Sequence, residues 1–149
     1  MKTHELPTRA EDMFCYGIYA ASHVVNRAYT PHLTRLGLTY PQYITLTLLW
    51  EKDGQKVSEL SEALRMETST LTPLLKRLEA QGYVCRRPDE KDRRAVLINL
   101  TDQGRALQRD APEITACMVE GTNLSHSELK TLQHLLLKLT DGLVESKVT

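Results

Sequence analysis

The chain has 149 residues, 41% hydrophobic and 26% charged, with cations and acids balanced to a formal net charge of zero. That balance describes one folded domain with a core of its own and excludes wholesale disorder and fibrous architectures. No apolar run approaches the ~18 residues of a membrane span, and acids and a proline where a leader needs an apolar run make secretion unexpected. The three cysteines, widely spaced and odd in number, exclude a disulfide framework and suit a reducing, cytoplasmic setting.

In chain order, Thr8 to Glu11 spells a T-x-x-E capping box, the start signal of a helix. Apolar side chains then recur at Phe14, Ile18, Ala21, Val25 and Ala28, at helical spacing. Pro31 and a turn at Gly37 are expected to end this helix. A second capping box, Thr39 to Gln42, tolerates Pro41 in its first turn and opens a largely buried helix containing Tyr43, Ile44, Leu46, Leu48, Leu49 and Trp50. After Asp53-Gly54, Val57, Leu60 and Leu64 mark one short helix. Leu71, Leu74, Leu75 and Leu78 mark another, with Thr68 as its expected cap and Gly82 closing it.

Two short helices joined by a tight polar turn have helix-turn-helix size. Strands follow at Tyr83 to Arg87 and Ala95 to Leu100, separated by a charged turn. A helix-turn-helix followed by such a ribbon is a winged helix, so the predicted class is mainly α with a small β-hairpin wing. Thr101 is expected to cap a fifth helix, and Ser125 to Glu128 is a further capping box opening the last one.

The stretch from Thr68 to Leu78 separates into a leucine face and a face of Ser, Thr, Lys and Arg. Short hydrogen-bonding groups come first and long cations later, the order a recognition helix needs to meet base edges and then phosphates. From Lys76 to Arg94, seven cations (Lys76, Arg77, Arg86, Arg87, Lys91, Arg93, Arg94) outnumber four acids (Glu79, Asp89, Glu90, Asp92). The charge of a neutral chain is thus concentrated where a winged helix meets nucleic acid. The plain alternative is an ordinary solvated ribbon, and the ordered helix face beside the wing weighs against it.

The segment STLTPLLKRLEAQGYV, followed by Asp92-Arg93-Arg94 and then LTDQG, resembles the MarR family of winged-helix repressors over about residues 10 to 145. The resemblance implies a homodimer built by dimerisation helices at residues 8–30 and 102–146, flanking a winged helix-turn-helix at 55–101. It implies binding to pseudo-palindromic double-stranded operator DNA. Thr68, Ser69, Thr70, Thr72, Lys76 and Arg77 then fall on the recognition helix, and Arg94 at the wing tip enters the minor groove.

Cys15 shares a helical face with Tyr19 at i+4. Tyr29 lies on nearly the same stripe but about 21 Å further along the axis. Two such helices packed antiparallel across a two-fold axis would bring Tyr29, and Tyr40 with it, to the Cys15 of another chain. Phenolic donors lower a thiol pKa, although a lone helical cysteine is more often a small buried hydrophobe.

The phrases FCYGIYAAS, RAY and GLTYPQY resemble one MarR branch, the organic hydroperoxide resistance regulators. That resemblance makes Cys15 the redox-sensing residue, organic hydroperoxide its oxidant and Tyr19, Tyr29 and Tyr40 the thiolate-supporting residues. Some members of that branch carry a second cysteine that resolves the sulfenic acid as an intersubunit disulfide, which would make Cys117 the resolving residue. Others form a mixed disulfide with a small thiol. The segment Arg65-Met66-Glu67-Thr68-Ser69 departs from the branch pattern, and that departure bears on the operator sequence rather than on the sensing chemistry. Cys85, in a wing strand without an activating neighbour, is read as structural.

The histidines show no paired metal-ligand spacing, so neither metal nor cofactor is expected. The expected function is a non-enzymatic, redox-gated repressor. Its rivals are a regulator of the same fold gated by a small phenolic ligand in the dimer crevice and, remotely, a thiol peroxidase.

Overall fold

The computed structural model describes residues 6–146. The chain divides into two compact units, Met1–Ile114 and Thr115–Thr149.

In the first unit the expected box at Thr8 does not start the first long helix. The Glu11 carboxylate pairs with the Arg9 guanidinium, residues Ala10–Asp12 form one 3₁₀ turn, and α1 runs from Phe14 to Thr34 with Met13 at its uncapped start. Nor does Pro31 end the helix. The chain stays helical for another turn because Leu33, 1% exposed, is anchored in the core. Burial of one leucine, worth about 1.5–3 kcal/mol, offsets much of the proline penalty. Gly37, at φ +70°, then makes the left-handed turn, with Leu38 N–H donating back to the Leu33 carbonyl.

Helix α2 spans Tyr40–Glu51 and opens on the expected capping box: Thr39 Oγ1 accepts from Gln42 N–H, and Gln42 Oε1 accepts from Thr39 N–H. Strand β1 (Gln55–Lys56) leads directly into α3 (Val57–Leu64). Arg65, left-handed at φ +54°, begins the turn into α4 (Thr68–Ala80). The cap of α4 is Glu67, and Thr68 is its first helical residue. Pro73 lies in the second turn of α4 and so removes a helical hydrogen bond to the Ser69 carbonyl, an exposed position where water can replace the donor.

The wing strands β2 (Val84–Pro88) and β3 (Val96–Leu100) pair antiparallel, with Val84 opposite Leu100 and Pro88 opposite Val96. The ribbon has a third strand that the sequence pattern does not reveal. β1 joins the outer side of β3, Gln55 opposite Ile98, giving the order β1-β3-β2. After Thr101, which caps as expected, the fifth helix is broken into α5 (Asp102–Ala106), a 3₁₀ turn (Leu107–Asp110) and α6 (Ala111–Gly121).

The core of this unit joins Leu33 of α1, Leu46 and Leu49 of α2, Leu60 of α3, Leu71, Leu75 and Leu78 of α4, and Ile98 of β3. The second unit holds the end of α6 and α7 (His126–Glu145), opened by the Ser125 to Glu128 capping box. α7 has no buried residue, and Leu132, Leu135, Leu137, Leu143 and Val144 are exposed along it. No helix among the described residues is long and apolar enough to cross a membrane.

Candidate nucleic-acid interface and cysteine site

Successive residues of an α-helix turn by about 100°, and this sets what α4 presents. Leu71, Leu75 and Leu78 point into the core, at most 1% exposed. Ser69 and Lys76 lie on the opposite, outward midline. Thr68 and Thr72 flank them on one side, Thr70 and Arg77 on the other.

The Thr68 and Thr72 side faces the wing across an open groove of about 500 Å³. Lys56 and Ser58, at the start of α3, and Arg86, Arg94 and one acid, Asp92, from the wing, supply the other polar groups of its walls. Thr70 and Arg77 instead border a smaller crevice of about 240 Å³ against Thr39 and Pro41 at the start of α2. The predicted residues therefore form one exposed arc that slopes into two recesses.

Thr72 Oγ donates to the Thr68 carbonyl (2.8 Å), which leaves its oxygen lone pairs facing outward as acceptors. The wing tip is held by its acids. Asp92 accepts from Arg94 N–H and Asp89 from Lys91 N–H, both at 3.0 Å. These are side-chain-to-backbone turns that fix the loop and leave the Arg94 guanidinium free.

Arg86 pairs with Glu79 of α4 at 3.7 Å, tying the wing to the helix it flanks. Lys76, Arg77, Arg87, Arg93 and Arg94 enter no ion pair among the described residues. Their charge is uncompensated and open to phosphate. Lys56 and Ser58 escaped prediction, and Arg86 was counted among the local cations but not as a groove residue; their placement depends on how α3 and the wing pack beside α4.

Cys15 is exposed and is the second residue of α1. The capping signal at Thr8 sets the expected helix start near Arg9, with Cys15 beyond the first turn; the observed start puts it within that turn, where backbone N–H groups lack helical acceptors. Tyr19, one turn on, is exposed and meets His23 edge-on at 4.5 Å between centroids.

Tyr29 is at the other end of the same continuous helix. There it packs against Tyr40 (4.6 Å) and Tyr43 (5.8 Å) of α2. One chain thus brings Tyr29 and Tyr40 together and keeps both remote from its own Cys15. Burial pushes the phenol pKa of each upward, and for Tyr40 the neighbouring Tyr29 adds to the rise, so both hydroxyls are protonated donors at neutral pH. Cys85 is half-buried in β2, opposite Asn99. Cys117 is exposed on α6, in the second unit. No cluster among the described residues fits a metal ion.

A three-stranded wing beside a helix whose outer arc carries Ser, Thr and unpaired cations defines a winged-helix DNA-binding regulator. Residues 38–96 match the MarR family model. The chain is 38% identical over 135 residues to the organic hydroperoxide resistance transcriptional regulator of Bacillus subtilis, covering 91% of this chain and 92% of that protein. It therefore belongs to the MarR family, and its relatives are transcriptional regulators and not enzymes.

Among solved structures it resembles AbfR of Staphylococcus epidermidis. The reduced protein bound to DNA gives a TM-score of 0.73 at 32% identity, over 88% of this chain and 91% of that one. The disulfide-formed protein gives 0.62 at 30%, over 89% and 88%.

Proposed function

We propose that the chain is a cytoplasmic homodimeric repressor that leaves its operator when an organic hydroperoxide oxidises Cys15. In the reduced state two copies set their α4 helices into successive major grooves of a pseudo-palindromic site, about 34 Å apart, and Arg94 of each wing enters the flanking minor groove. Residues 8–30 and 102–146 form the dimer, and 55–101 reads DNA. The unpartnered apolar faces of α1 (Phe14, Ile18, Val25) and of α7 (Leu132, Leu135) are surfaces that a second copy would cover.

In an antiparallel pair of α1 helices, Tyr29 and Tyr40 of one copy approach Cys15 of the other, with Tyr19 on the same helix as that thiol. The Cys15 thiolate attacks the peroxide, the O–O bond breaks, and the alkoxide leaves as the alcohol after taking a proton. The resulting sulfenic acid loses water to the thiol of Cys117 in the other copy, giving a disulfide. The observation that carries the reading is the place of Cys15 in the first turn of an α1 helix whose apolar face lies open to a second copy, with Tyr29 and Tyr40 paired at the helix's far end. The names of the Bacillus relative and of the reduced and disulfide-formed AbfR structures support it.

The test is an operator titration of reduced and cumene hydroperoxide-treated protein beside Cys15→Ser. The variant is expected to bind DNA and to ignore peroxide. Peroxide release from Cys15→Ser equal to that of the parent would remove the sensor assignment.

A further inference from the structure

The single tryptophan of the chain, Trp50, occupies neither the groove nor the cysteine site, yet it links the tyrosine cluster to the wing. Its ring meets Tyr43 edge-on at 5.9 Å, and Tyr43 packs on Tyr29. At its other edge, Trp50 Nε1–H donates to the Gly104 carbonyl at 3.0 Å, across 54 residues of sequence.

Gly104, in the first turn of α5, is bonded to the base of the wing. Its N–H donates to Thr101 Oγ1 (3.0 Å), and Thr101 N–H donates to the Tyr83 carbonyl (3.1 Å), just before β2 begins. Asp53, three residues after Trp50, grips the same knot. One carboxylate oxygen accepts from Leu100 N–H at 2.8 Å and the other from Arg105 at 2.6 Å. The end of α2 thus holds the point from which both wing strands spring.

We propose that Trp50 is a positioning residue for DNA binding, which sets the angle of the wing and, through Tyr43, ties that angle to the packing of Tyr29 and Tyr40. The lever is long. Five residues at about 3.3 Å each make a strand of about 16 Å, so a rotation of about 5° at the base carries the tip some ~1.4 Å. A displacement of that size takes the Arg94 guanidinium out of hydrogen-bond range of a minor-groove acceptor. Loss of the Trp50 hydrogen bond leaves the ring in contact with Tyr43 but lets the wing sample other angles. Affinity then falls by the factor through which the binding-competent population falls, about fivefold for one ordinary hydrogen bond.

Trp50→Phe, Arg94→Ala and the double variant test this by titration of reduced full-length protein with a labelled duplex, selected by the parent chain from a random-sequence pool. Trp50→Phe should bind about fivefold more weakly. In the Arg94→Ala background it should cause no further loss, because it acts through the tip that Arg94 supplies. Losses that multiply would make Trp50 a general stability residue and overturn the proposal. A second readout needs no Trp50 variant. Trp50 emission should change when the parent binds the duplex and stay constant when Arg94→Ala is saturated with it. A parent emission unmoved by DNA, or an equal change in Arg94→Ala, would also overturn it. Because the protein stays reduced throughout, the chemistry of Cys15 does not enter either outcome.

Discussion

Gly104 has little room for a side chain, and its replacement by alanine is a direct test of how the wing is seated. A Cβ built there would lie 2.1 Å from the Tyr83 carbonyl oxygen, 3.0 Å from the Tyr83 carbonyl carbon and 3.3 Å from Leu100 Cδ2. The nearest obstacle is backbone, so no rotamer change relieves it. To reach an ordinary separation, the first turn of α5 and the start of β2 must part by about 1 Å. That movement breaks the 3.1 Å bond from Thr101 N–H to the same Tyr83 oxygen. Overpacking of this kind costs about 1–3 kcal/mol and the broken hydrogen bond about 1 more, so Gly104→Ala should destabilise the protein by about 2–4 kcal/mol. For a chain of this size that is a fall of about 5–15 °C in melting temperature. Thermal unfolding followed by far-UV circular dichroism reads it directly, and operator affinity should fall with it as the wing loses its seat. A melting temperature unchanged to within about a degree would refute the close approach and the account of the wing base built on it.

Arg94→Ala should weaken operator binding and lower the slope of log K against log salt by about one unit for each phosphate charge left unneutralised; an unaltered slope would mean that the wing tip does not touch DNA. Hydroperoxide-treated protein without added thiol should migrate on a non-reducing gel as a covalent dimer that Cys117→Ser abolishes and Cys85→Ser leaves intact. A monomeric band with a small-thiol adduct on Cys15 would assign a one-cysteine mechanism and leave Cys117 without a redox role.

What was legible in the sequence was whatever is decided within a few residues. The capping boxes at Thr39 and Ser125 form as spelled because donor and acceptor belong to the same turn. The same spelling at Thr8 does not form a box: Glu11 pairs with Arg9 and the chain makes only one 3₁₀ turn there. Pro31 is the opposite case: a strong local stop signal is overridden by burial of Leu33 two residues later, and periodicity does not state which leucine reaches the core. Strand β1 has two residues, too few to show any alternation, and exists only because β3 offers its edge.

The functional face divides in the same way. The outward arc of α4 follows from 100° steps and was readable residue by residue, but its division between two recesses is a property of neighbours. Thr68 and Thr72 share a groove with Lys56 and Ser58 because α3 packs beside them, while Arg77 looks toward the start of α2. From sequence, Tyr29 reads as a late member of the Cys15 stripe and Tyr40 as the start of the second helix, with nothing to say that the two rings touch. The turn at Gly37 brings the start of α2 to the end of α1 and makes them a contacting pair of tilted rings, continued by Tyr43 and Trp50 to the wing base. The glycine of LTDQG shows why a short motif can be recognised before it is understood. Its spacing is visible in the chain, but the reason for a glycine at its end is a carbonyl oxygen 21 residues earlier, brought within 2.1 Å of the missing Cβ by the pairing of β2 with β3.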